Sequence, residues 1–110
     1  MPSEVRQLLF KSREIIAAIT EYFHRRGLAL PHGTAERVII PEGRQVHALL
    51  VISTDQGGKV EVEVNTEMLA AALILFCINR KIPLPAEADK RLQRVQEDSV
   101  ALVVVKRAKP

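Results

Sequence analysis

The chain has 110 residues, 47% of them hydrophobic and 26% charged, with a formal net charge of +3. That size and balance describe one folded domain with its own core and exclude an intrinsically disordered chain. Three Phe, one Tyr and no Trp leave the core to aliphatic side chains and exclude a binding site built on stacked aromatic rings.

The first predicted element is a long helix over residues 4–26. Val5, Leu8, Leu9, Ser12, Ile15, Ile16, Ile19, Tyr22 and Phe23 recur at steps that make one helical stripe. Ser3 is its predicted N-cap, Arg25 and Arg26 suit the negative end of the helix dipole, and Gly27 supplies a stop. The charges in this opening segment also exclude the apolar core of a secretion signal. Residues 28–44, broken by Pro31, Gly33, Pro41 and Gly43, read as a loop around one short strand at 38–40. A β-hairpin follows. Residues 46–53 form a nearly continuous apolar strand interrupted by His47, and Asp55-Gln56-Gly57-Gly58 makes the turn. Val60, Val62 and Val64 then alternate with Lys59, Glu61 and Glu63, a strand with one wet face.

Residues 66–80 read as a helix capped by Asn65 or Thr66, with Glu67 in its first turn and Pro83 and Pro85 beyond its end. Its apolar run, 68–78, is too short for a membrane span, which needs roughly 20 residues. A shorter helix over 86–97 is predicted to bury Ala88, Leu92 and Val95, with Glu87 and Arg91 paired across one turn. The last strand spans 100–105, ahead of a charged tail at 106–110.

The predicted order is thus α-(β)-β-β-α-α-β, an α+β two-layer sandwich with a mostly antiparallel sheet and helices on one face. Strands 46–53 and 100–105 are apolar on both faces, and helix 68–78 is apolar on nearly every side. Either residues 28–40 or a second subunit must cover the excess. The preferred expectation is a homo-oligomer associating through Leu49, Val51, Ile74 and Leu75.

No catalytic, cofactor-binding or metal constellation is legible. Cys77 lies inside an apolar helix, where a thiol behaves as a small hydrophobe and no disulfide can form. His24, His32 and His47 have no metal-ligand spacing. Glu61 and Glu63 are explained by a solvated strand face, and Gly57-Gly58 by a turn between strands. Basic residues concentrate at the end: residues 80–110 hold eight basic and four acidic groups, a balance of +4. Arg80, Lys81, Lys90, Arg91 and Arg94 are therefore the candidates for contact with phosphate or an anionic partner.

With the short strand set aside, the order α-β-β-α-α-β resembles that of a type II KH domain, an RNA-binding fold. The resemblance places Arg80-Lys81-Ile82-Pro83-Leu84-Pro85 where that family carries its G-x-x-G loop, although no glycine follows Gly58. The segment FCINRKIPLPAEADKRLQRVQEDSVALVVV at 76–105 is similar to the C-terminal part of short alphaproteobacterial proteins of unknown function, and this implies no activity. The expected protein is a cytoplasmic, non-enzymatic binding or protein-interaction module without cofactor or membrane contact. The alternative is a degenerate KH-like nucleic-acid binder.

Overall fold

A strand whose two faces are both apolar needs a neighbour on each edge and cover on each side. In the computed structural model, which describes residues 4–106, both segments of that kind are the middle strands of three-stranded antiparallel sheets. One sheet has the order β1(Glu4–Phe10), β6(Ser99–Lys106), β5(Asp89–Gln96), and the other β2(Gly33–Ile39), β3(Ala48–Thr54), β4(Lys59–Val64). Helices α1(Ser12–Arg25) and α2(Thr66–Asn79) complete the order β-α-β-β-β-α-β-β. The fold is α+β with antiparallel pairing, as expected, and the boundaries of β3, β4, α2 and β6 fall close to the predicted ones.

Two segments change identity. Residues 4–26 are not one helix: 4–10 form β1, which pairs along its whole length with β6, from Glu4 opposite Lys106 to Phe10 opposite Val100. Leu8-Leu9-Phe10 suits either period, and the long-range demand of β6 for a flanking strand outweighs the local helical spacing. The helix starts only after Lys11, whose backbone N–H donates to the Glu14 carboxylate at 3.0 Å. The expected N-cap, Ser3, lies outside the described residues, as does the end of the expected tail at 107–110. Likewise 86–97 is no helix. Residues 89–96 form β5 and Glu97-Asp98 turn the chain into β6. The spacing of Ala88, Leu92 and Val95 imitated a helical stripe. The strand carries instead one β-bulge, between Arg94 and Gln96. In addition, the short strand expected at 38–40 begins earlier, at Gly33.

Alternate residues of both sheets point to the helices. Phe10, Val38, Leu50, Ile52, Val64, Val100 and Leu102 join Ile15, Ile19 and Phe23 of α1 and Leu69, Leu73 and Phe76 of α2 in one core. Phe10 meets Phe76 edge to face, with ring centroids 5.8 Å apart. The sheets are tied at buried Ile40, whose N–H donates to Glu97 O and whose carbonyl accepts from Arg94 Nε at 2.7 Å. The result is long and thin, 58 × 28 × 18 Å. Its radius of gyration of 15.1 Å exceeds the about 13 Å usual for a globular chain of this length.

Gly33 opens β2 at φ +153°, where a Cβ would collide with the Ser53 carbonyl, whereas Gly43 has open space around it. Gly33→Ala is therefore expected to cost about 1–3 kcal/mol in chemical denaturation. Gly43→Ala should stay within about 0.5 kcal/mol of the parent.

Candidate functional site

The five basic residues singled out by the sequence do not form one surface. As a strand, 89–96 sends Lys90 and Arg94 toward the helices and Arg91 to the opposite face, so the neighbourhood expected on a helix is lost. Lys90 Nζ donates to the carbonyls of Pro85 and Ala88 at 3.0 and 3.2 Å, which holds the loop after α2 against the sheet. Arg94 bonds Ile40 O and lies 3.7 Å from Glu42. Arg80, at the end of α2, grips Glu21 of α1 through two parallel bonds of 3.1 and 2.8 Å. Its guanidinium also stacks 3.6 Å from the Phe76 ring centroid. Lys81 and Arg91 remain exposed. Most of this basic charge therefore serves the fold. Arg6, which the sequence did not single out, does the same by donating to Pro83 O at 3.2 Å.

The remaining polar candidates lie apart from one another. Cys77 is fully buried, and that burial pushes its thiol up, away from the reactive thiolate. His24 ends α1, His32 is exposed before β2, and His47 Nδ1 lies 3.2 Å from Gln45 O just before β3. Glu61 and Glu63 are exposed on β4. Among the described residues no group of three or more His, Cys, Asp or Glu could hold a metal ion.

Apolar surface is open, but not where it was expected. On the side of β3 away from the helices, Val51 lies between Arg37 and Glu61, and Leu49 between Ile39 and Glu63. The stems of these flanking side chains cover the middle strand, leaving Val51 4% exposed and Leu49 half-buried. On α2, Ile74 packs against the core and Leu75 is half-buried, while Ile78 beyond them is exposed. The corresponding outer face of β6 is flanked differently. Ala101 lies beside Leu9 and Gln93, Val103 beside Gln7 and Arg91, and Val105 beside Val5 and Asp89. Val5 is 63% exposed, Leu9 51%, and Val95 at the β5 bulge 45%. Leu9 and Val95 wall an open hollow of about 670 Å³ with Lys11, Arg13 and Ser99. The sequence concealed this patch because a helical reading of 4–26 assigns Val5 and Leu9 to the buried stripe.

No family model, curated protein or solved structure matches the chain. No helix among the described residues is long and apolar enough to cross a membrane.

The Arg80 bonds, then that of Asn79, hold the Glu21 carboxyl below the usual carboxylate range. A depressed folded-state pKa means that the stabilisation is present at neutral pH and lost as pH falls through that lowered pKa. Glu21→Gln should therefore be less stable than the parent at neutral pH, with the gap between the two closing in acid. Denaturation midpoints measured along a pH series check this.

Proposed function

We propose that this protein is a non-enzymatic interaction module that self-associates through the outer face of the β1-β6-β5 sheet. The observation that carries the reading is the exposure of Val5 and Leu9 on the outer face of β1, beside the buried Ala101 and Val103 and the half-buried Val105 of β6. Large apolar side chains gathered on one sheet face are more costly in water than the single exposed ones found on any surface. A lone, buried thiol suits the reducing cytoplasm of a bacterial cell, where we place the protein. Phosphate binding through Arg80, Lys81, Lys90, Arg91 and Arg94 has less support, because Arg80, Lys90 and Arg94 already make bonds within the chain.

Light scattering should return twice the chain mass at micromolar concentration. Leu9→Glu, at an exposed position, should lower that mass toward one chain without changing the fold, and Ile78→Glu on α2 should not. A parent protein that stays monomeric, or a dimer split only by Ile78→Glu, would overturn the proposal.

A further inference from the structure

Among the described residues, the two sheets end at the outer strands β1 and β5, β2 and β4, with no further strand beside them. Natural sheets guard such edges with bulges and charge, because an unguarded one pairs with another chain. β2 is interrupted by a bulge between Ala35 and Arg37, and β5 by one between Arg94 and Gln96. β4 is regular but carries Glu61 and Glu63. Pairing it antiparallel with a second β4, with the helices kept on one side and the strands well overlapped, would set Glu61 against Glu61 or Glu63. Like charges directly opposite destabilise a ladder.

β1 has no bulge, and its two charged residues, Glu4 and Arg6, alternate away from the face that carries Val5 and Leu9. Its ladder with β6 runs from Glu4 to Phe10 without a register shift, and the guanidinium of Arg6 is turned toward Pro83 O. We infer that β1 pairs antiparallel with β1 of a second copy about a two-fold axis at Gln7, an inference that rests on the self-association proposed above. Alternation of side chains selects this register. Centred on Gln7, each Val5 stands opposite the partner's Leu9, so the two most exposed apolar residues of the strand cover each other at two symmetric places. Glu4 then faces Phe10, Arg6 faces Leu8, and no like charges meet. Centring on Arg6 would oppose the two Arg6 residues. Centring on Leu8 would put Val5 against Lys11. The Gln7 register joins two three-stranded sheets into one of six strands, with all helices on the same side and the Val5 and Leu9 side chains of both copies gathered on the outer face about the two Gln7 residues. Symmetric pairing of one patch with itself is also the commonest way a dimer closes.

The test uses the 5–9 pairing itself. Val5→Lys with Leu9→Lys sets lysine against lysine at both symmetric places, and Val5→Lys with Leu9→Glu sets lysine against glutamate. Both are exposed positions, and circular dichroism verifies that each variant folds. In sedimentation equilibrium the double-lysine variant should dimerise at least about tenfold more weakly than the charge-paired one, a gap that closes in high salt. A parent protein that is monomeric would remove the self-association on which the inference rests. A parent dimer that neither variant weakens would overturn the β1 pairing and leave self-association standing. Equal weakening by both variants would also overturn it, since this register sets like charges opposite in one variant and opposite charges in the other.

Discussion

Val51 and Val103 face away from the helices, yet both are almost wholly buried. They can be so because β3 and β6 are middle strands, each with a neighbour on both edges whose side chains close over it. The rest of the architecture follows from that requirement. β6 needs two flanking strands, and the chain supplies one from before α1 and one from after α2. β3 takes its two from the segments on either side of it. The helices then need to cover only one face of each sheet, and α1 and α2 with their aliphatic cores suffice for that.

Two three-stranded sheets covered by two helices could slide past one another, and polar contacts fix their relation. Ile40 is bonded through both its N–H and its carbonyl to the β5–β6 hairpin. The Glu21–Arg80 pair ties α1 to α2, and Arg6 and Lys90 pin the Pro83–Ala88 loop across the inner face. Charge-assisted hydrogen bonds are stronger and more directional than apolar contacts. The aliphatic core supplies bulk burial, and the basic residues supply alignment. This division explains why a basic C-terminal third need not amount to a nucleic-acid surface.

The parts of the fold legible in the sequence were those in which local and long-range signals agree. The Lys59–Val64 alternation, the Asp55–Gly58 turn and the apolar α2 each carry one reading, and of the two caps expected for α2, Asn65 or Thr66, it is Asn65 that accepts from the Met68 N–H. β1 and β5 were illegible because short segments such as Leu8-Leu9-Phe10 and the four-residue step from Ala88 to Leu92 satisfy both periods, and only pairing with β6 decides between them. The same ambiguity moved the candidate surface. Leu49 and Val51 are apolar in the sequence, but their exposure depends on the neighbours Arg37, Glu61 and Glu63, which come from other strands. The double apolarity of strands 46–53 and 100–105 was the informative signal. It indicated central position in a sheet before it indicated a partner.

The elongation of the molecule has a consequence for how it moves through solution. A body of 58 × 28 × 18 Å drags more water than a sphere of equal mass, so it diffuses and sediments more slowly. On a gel-filtration column calibrated with rounder proteins, even a single chain elutes early and imitates a larger species. Joining two such rods edge to edge at β1 would broaden the particle and change its frictional ratio less than doubling its mass suggests. Shape and mass are therefore separable for this protein only by a measurement, such as scattered intensity, that weighs the particle without reference to its friction.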